Sequence, residues 1–289
     1  MSHAASPLHH LRRARRPARW HHERGVGLLE LLVGITVGLL VIAVATGAMM
    51  VSRGVSGTVS DASSIQQQGA YAMRLLGQQL RQAGALKLDL AIDPGTGAGN
   101  SLDVVQFHLQ DEPKLGQDSS GNLRVVSAST TEPTFSGDAI LTRDCIGAAP
   151  GGGLSYIESV FKLVGNELRC GSMTAVEPIL RNVADFQTRF LVQDNSNSGL
   201  SAVQYTDASA LGLGFTPSYA EKINWSRVIA VEACLVLYGA EAIDMPAGAS
   251  YIGCDGNAVD MTALTGARAR RLHIAQRSVF QLRPQGVAP

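Results

Sequence analysis

Residues 24–50 read RGVGLLELLVGITVGLLVIAVATGAMM, in which a basic residue and a glycine precede a long apolar run that contains one acid, Glu30. The stretch from Leu31 to Val51 is about 20 residues long, which is enough to span a bilayer and exceeds the core of an ordinary secretory signal. A carboxylate at membrane depth is costly, and such residues usually face a partner rather than lipid. Glu30 therefore predicts a neighbour that this chain alone does not supply.

The segment Gly25-Val-Gly-Leu-Leu-Glu30-Leu-Leu-Val33 resembles the class III signal of type IV pilins and type II secretion pseudopilins. The resemblance implies that a prepilin peptidase cuts after Gly25 and that an N-methyltransferase modifies Val26, the new N-terminus. It also implies that Glu30 meets the N-terminal amine of a neighbouring subunit in the filament. Two features depart from the family pattern, since phenylalanine is usual at the position of Val26 and the 25-residue leader is long. The plainer alternative is a signal anchor with one tolerated acid.

Charge is distributed unevenly along the chain, although it sums to zero. The leader holds six arginines and one glutamate, which the positive-inside rule places in the cytoplasm. The rest of the chain has 18 basic and 23 acidic residues, a mild excess that argues against a nucleic-acid partner. We interpret the leader's paired histidines as incidental rather than as a metal site.

Residues 55–83 contain no proline and are predicted to continue the helix. The simplest prediction is one helix over residues 26–83, with about 26–51 in the membrane; two helices hinged near Gly54 and Gly57 are the alternative. Residues 68–86, QGAYAMRLLGQQLRQAGAL, resemble the second helical half of minor pilins of the PilW family. Glycines locally weaken the helix prediction: Gly54, Gly57, Gly69 and Gly77. The apolar stripe expected on this helix is Val59, Ala62, Ile65, Ala70, Met73, Leu76 and Leu80.

Residues 84–289 are predicted to form a β-rich head with long loops. Turn-forming stretches such as DPGTGAG and TEPTFSGD separate short strand candidates over residues 84–140. The glycines of residues 95–99 are expected to form a turn rather than a phosphate loop. Longer β-rich segments follow at Ile157–Val164, Val183–Val192, Arg227–Tyr238 and Arg271–Arg283. Leu211–Phe215 fits either an exposed contact surface or a buried loop.

Four cysteines, an even number, follow the predicted membrane segment, on the side where disulfides persist. Their count alone allows three connectivities. The pattern DCIG…LRC resembles one that recurs in PilW-like minor pilins, and the segment between the two cysteines has the pattern of a hairpin. Together these favour Cys145 with Cys170, which leaves Cys234 with Cys254. The wide spacing argues against zinc.

The sequence indicates neither an enzyme nor a cofactor. His108 and His273 are the only histidines after the leader, and neither belongs to a recognisable nucleophile–base motif. His273 is expected to point outward from a strand. Asp194–Gly199 loosely resembles a calcium loop, but Tyr205 occupies the position of the closing glutamate, so a solvated hairpin tip is the preferred interpretation and no metal is predicted.

The predicted fold is therefore α+β and pilin-like: a leader over residues 1–25 that is cleaved, a helix over 26–83 and a periplasmic head over 84–289. The PilW resemblance implies a minor pilin that primes type IV pilus assembly and sits at the pilus tip. Its expected partners are other minor pilins, the major pilin, the two processing enzymes and the inner-membrane assembly platform. Alternatives are a minor pseudopilin of type II secretion, and a tip subunit for adhesion or DNA uptake.

Overall fold

The computed structural model describes residues 25, 27–85, 87–89, 106–108, 113–135, 137–151, 156–194 and 202–283. The chain divides into two compact units, Met1–Arg53 and Gly54–Pro289. A single helix, α1 (Leu28–Gln82), contributes to both units and has no break at Gly54 or Gly57. The single-helix prediction is confirmed, whereas the leader and the membrane boundary stay predictions. The possible loops at residues 95–99 and 195–199 lie outside the described residues.

Within the second unit, α1 buries one stripe of side chains. The stripe includes Ile65, Met73, Leu76 and Leu80, at the spacings expected for one face of a helix. Two members of the predicted stripe are wrong, since Val59 and Ala70 are exposed. The stripe instead continues through two glycines that face a strand: a methyl group at Gly69 would overlap the Gln276 side chain, and one at Gly77 would lie 2.5 Å from the Phe280 ring. Close approach of helix and strand therefore explains these glycines.

The remaining elements are short strands with two small helices. α2 (Ala208–Leu211) and α3 (Tyr219–Ser226) were not predicted from the sequence. The strands, in chain order, are β1 (Lys87–Asp89), β2 (Gln106–His108), β3 (Leu115–Gln117), β4 (Leu123–Ala128), β5 (Thr131–Thr134), β6 (Gly137–Ile140), β7 (Tyr156–Val164), β8 (Glu167–Gly171), β9 (Val176–Arg181), β10 (Val183–Asp194), β11 (Ala202–Thr206), β12 (Val228–Tyr238), β13 (Ser250–Ile252), β14 (Ala258–Asp260) and β15 (His273–Gln281).

Two larger antiparallel sheets contain nine of the fifteen strands among the described residues, and the other six form three two-stranded sheets. The five-stranded sheet has the order β3-β4-β7-β8-β9, and the four-stranded sheet has the order β11-β10-β12-β15. The predicted hairpin is present as β7 and β8, which pair from Val164 and Glu167 outward around a turn with Gly165 at φ 61°. The predicted α+β class, a long N-terminal helix with antiparallel sheets, is confirmed.

The hydrophobic core lies between the helix and the inner faces of both sheets. Leu80 of α1, Phe161 of β7 and Val231 of β12 are fully buried members of one cluster. Trp225 closes this core from α3, where its ring meets Phe190 edge-on at a centroid distance of 4.9 Å. Its indole N–H donates to the Gly212 carbonyl at 3.0 Å, so the buried polar group is satisfied.

One peptide group connects the two sheets where β9 passes directly into β10. The Asn182 carbonyl accepts a hydrogen bond from the Tyr238 amide of the four-stranded sheet, and the Val183 amide donates to Asn166 in the β7–β8 turn. Asn182 has φ 57°, a left-handed conformation that asparagine tolerates better than most residues. The chain therefore changes sheets at a single corner residue.

Candidate assembly segment

Of the predicted processing and assembly residues, Gly25 precedes α1 and Glu30 lies within it. Gly25 is exposed, and Val26 lies outside the described residues. The first helical hydrogen bond runs from the Leu31 amide to the Gly27 carbonyl at 3.1 Å, which places Glu30 in the first turn. The backbone amides of a first turn carry partial positive charge, which favours a carboxylate at this position by about 0.3–1 kcal/mol at an exposed site.

Glu30 is exposed and receives no hydrogen bond or ion pair from any residue that the structure describes. The neighbouring side chains are apolar and equally uncovered: Leu28 and Leu29 are each 79% exposed. In water, exposure of the leucine side chains has a free-energy cost and exposure of the carboxylate has none. In lipid, the leucines are favourable and the carboxylate is costly. The segment is therefore suited to a place where apolar side chains are covered and the carboxylate meets a cation.

The helix from Leu28 onward is long and apolar enough to cross a membrane. Its most apolar 18-residue window has a mean hydropathy of 2.6, and none of that window is buried within the chain. The hydroxyls of Thr36 and Thr46 donate to the carbonyls of Val33 and Ile42 at 2.9 Å and 2.7 Å. Both hydroxyls are therefore satisfied within the helix, as a lipid environment requires.

A second feature of this segment was missed from the sequence. Gly34 and Gly38 follow Glu30 at successive intervals of four residues, which puts all three on one side of the helix. A methyl group at either glycine would meet nothing within 4 Å. Glycines four residues apart allow two membrane helices to approach closely. The spacing G-x-x-x-G was the signal that could have identified this face.

The four predicted disulfide cysteines lie in the second unit. Cys145 joins Cys170 with their Cα atoms 6.2 Å apart, and Cys234 joins Cys254 at 5.6 Å. This is the pairing that the sequence favoured. Cys145–Cys170 belongs to the main core, whereas Cys234–Cys254 attaches the β13–β14 hairpin to the outer face of β12.

His273 lies on the outer face of the four-stranded sheet, away from the main core, as the alternation predicted, but the prediction of a surface residue is wrong. Its residue is 4% exposed, because residues 239–272 fold over the start of β15 and cover it. His108 lies in β2, and its side chain is outside the described part. Among the described residues, no group of three or more histidines, cysteines or acids is arranged to hold a metal ion.

Comparisons with known proteins give a distant structural resemblance. No family model matches the sequence, and no curated protein matches it. Among solved structures, a type IV-like pilin from Thermus thermophilus aligns with 75% of this chain and 95% of its own, at 13% sequence identity and a TM-score of 0.32.

Proposed function

We propose that this chain is a minor pilin of the PilW type, stored in the inner membrane and incorporated into a type IV pilus. The observation that carries the proposal is Glu30, an exposed acid in the first turn of an uncovered apolar helix, five residues after Gly25. Cleavage after Gly25 would create a new amine at Val26, four residues before the acid in the sequence. Such an amine on a neighbouring subunit would supply the cation that none of the described residues gives Glu30.

In the proposed mechanism, the free-energy cost of burying the carboxylate selects the correct alignment of neighbouring subunits. In the fibre the apolar helices cover one another, and a carboxylate in that environment is tolerated only when it is paired and hydrogen-bonded. A subunit that joins the fibre with Glu30 next to an amine is therefore favoured over one whose Glu30 has no amine beside it. Gly34 and Gly38 lie beside Glu30 and let the neighbouring helix come close.

The head has the properties expected of a subunit exposed outside the inner membrane. Its two disulfides suit an oxidising compartment. With the arginine-rich leader in the cytoplasm, the positive-inside rule puts the head in the periplasm. We infer that it joins other minor pilins in a complex that primes assembly at the platform and then sits at the pilus tip.

A minor pseudopilin of type II secretion would share the signal, the helix and the mode of assembly. Deletion of the gene separates the two, because a minor pilin is needed for pilus number and a pseudopilin for secretion of folded proteins. Loss of adhesion or DNA uptake with normal pilus number would instead favour a tip-binding role.

Mass spectrometry of the N-terminal peptide tests the class directly. The full chain is recovered from membranes of cells with and without prepilin peptidase. We expect a peptide that begins at methylated Val26 only when the peptidase is present. A leader that remains attached in both strains would overturn the proposal and leave a membrane-anchored β-rich protein.

A further inference from the structure

His273 lies between the four-stranded sheet and the segment that covers the outer face of that sheet. It is the first residue of β15 and lies under residues 239–272, which we call the flap and which include the β13–β14 hairpin. Its imidazole stacks on the Tyr251 ring of the flap, with centroids 5.1 Å apart and planes 7° from parallel. On the sheet side, the Tyr238 ring of β12 lies 5.7 Å away. The imidazole therefore contributes to the contact that keeps the flap against the sheet.

The unpaired Nε2 of His273 favours the neutral form of the imidazole. Nδ1 lies 2.8 Å from the Arg271 carbonyl, which accepts a hydrogen bond if Nδ1 carries the proton. The proton-free nitrogen is then Nε2, which is buried and has no hydrogen-bond partner among the described residues. A second proton on Nε2 would create a buried donor and a buried charge without an acceptor, which is far more costly than an unpaired neutral nitrogen.

The charges around His273 also oppose a second proton. Burial is the main cause that lowers the pKa of His273, and the Arg268 guanidinium lowers it further, while the hydrogen bond to Arg271 acts in the opposite direction. In the described residues, no carboxylate forms an ion pair with the imidazole. Among the described residues, the charged and titratable groups that face this region are Arg268 and Arg271 from the segment before β15, Arg277 from β15, Asp185 from β10, Tyr238 from β12, and Tyr251 and Asp255 from the flap.

We propose that protonation of His273 releases the flap from the sheet, so that the flap is an acid-sensitive cover. Opening lets the imidazolium reach water, which removes the cost of burying it. The Cys234–Cys254 disulfide keeps the hairpin covalently attached to β12, so the flap swings rather than detaches. Opening also requires the Gly253 carbonyl to leave the Arg277 guanidinium and the Arg268 guanidinium to leave the Ala184 carbonyl. Opening uncovers Val236, Ala275 and Ala184 on the outer face of the four-stranded sheet.

The sign of the effect follows from the lowered pKa. The open state binds a proton more readily than the closed state, so the contribution of His273 to closure is fully present above pH 6.5, its ordinary pKa, and is lost as pH falls toward the folded value. In that window the opening equilibrium rises by up to about tenfold per pH unit. Asp185 works in the opposite direction at lower pH, because burial raises its pKa and proton uptake there favours the closed state.

Hydrogen exchange of the full chain in detergent micelles tests the proposal. Exchange is followed by mass spectrometry between about pH 7.5 and about pH 5 and corrected for the intrinsic pH dependence. We expect β13–β14 peptides to lose protection by up to about tenfold per pH unit below about pH 6.5, while β10 and β12 peptides hold theirs.

Two variants assign the change to His273. His273→Phe keeps a ring between the tyrosines but cannot be protonated, so its flap should not lose protection as the pH is lowered. His108→Phe removes the other histidine of the head and should behave like the natural chain. An equal loss of protection in His273→Phe would overturn the proposal. If that variant does not fold, the NMR titration of His273 in the natural chain decides, since an apparent pKa at or above 6.5 would overturn the proposal and a lower value would support it.

Discussion

The carboxylate of Asp61 on α1 accepts a hydrogen bond from the backbone amide of Glu241, 180 residues further along the chain, at 2.8 Å. Asp61 is 7% exposed, which is unusual for an acidic residue that has no ion pair among the described residues. Gly239 leaves room for it, since a methyl group there would lie 2.4 Å from the Asp61 carboxylate. The helix and the start of the flap are thus joined by one buried polar contact.

Asp61→Ala should destabilise the second unit, because it leaves the Glu241 amide without its acceptor. The expected cost is about 1–3 kcal/mol, measured by chemical denaturation of the full chain in detergent. Asp61→Asn retains a carbonyl oxygen that can accept the same bond and should cost clearly less. Equal losses in the two variants would show that this hydrogen bond does not stabilise the fold.

Gly77→Ala should lower stability even though alanine favours helices. The added methyl would lie 2.5 Å from the Phe280 ring, and overpacking of this kind costs about 1–3 kcal/mol. Gly57→Ala is the matched control on the same helix, because its methyl would meet nothing within 4 Å. It should stabilise the helix by up to about 1 kcal/mol. Thermal melting of both variants checks the opposite signs, and a shift in the same direction for both would contradict the close helix–strand contact.

Lys114 should make stability depend on pH in the alkaline range. Its ammonium is buried and donates to the Ser226 carbonyl at the end of α3 at 3.0 Å, and burial lowers its pKa to about 8. The unfolded chain therefore binds more protons between about pH 8 and pH 10.5, so the stability of the natural chain should rise with pH across this window relative to Lys114→Met. The full difference is about 3 kcal/mol at most. A stability difference that does not vary with pH would exclude a lowered pKa.

Glu30→Ala should leave the chain inserted in the membrane and cleaved but reduce its incorporation into pili. The variant lacks the carboxylate that the proposed mechanism pairs with a neighbour's amine. Immunoblotting of sheared pili against membranes measures the ratio of incorporated to stored subunit. Glu30→Asp keeps the charge on a shorter side chain and should retain part of the incorporation. Normal incorporation of Glu30→Ala would remove Glu30 from the assembly mechanism.

Gly38→Leu should also reduce incorporation, through shape rather than charge. Gly38 lies about 80° from Glu30 around the helix and Gly47 about 100° away on the other side of Glu30, at 3.6 residues per turn. Gly47→Leu adds the same volume away from the proposed contact face and is the matched control. Both variants keep the segment apolar, so membrane insertion should be unchanged in each. Equal incorporation of the two would show that the Gly34–Gly38 side does not pack closely against a neighbour.

Local patterns in the sequence were sufficient for α1 and the longer strands, because hydrophobic spacing determines which side chains can share a face. The same patterns placed Val59 and Ala70 wrongly on the buried stripe of α1, and they gave no sign that Gly69 and Gly77 are the places where β15 comes close. The burial of His273 and the partner of Asp61 depend on the path of the flap. Such contacts join residues far apart in the chain, and periodicity contains no information about them.

The corner at Asn182 has a consequence for anyone who wishes to label this protein. The peptide group after it is hydrogen-bonded to both sheets, through Tyr238 on one side and Asn166 on the other. Both hydrogen bonds are made by one planar peptide group. An epitope inserted there would separate its carbonyl from its amide and break the connection between the sheets. Ser119 and Ser120 are exposed in the turn between β3 and β4, at an edge of the five-stranded sheet, where an inserted loop adds little entropic cost. A tag for following single subunits into a filament therefore belongs at that turn.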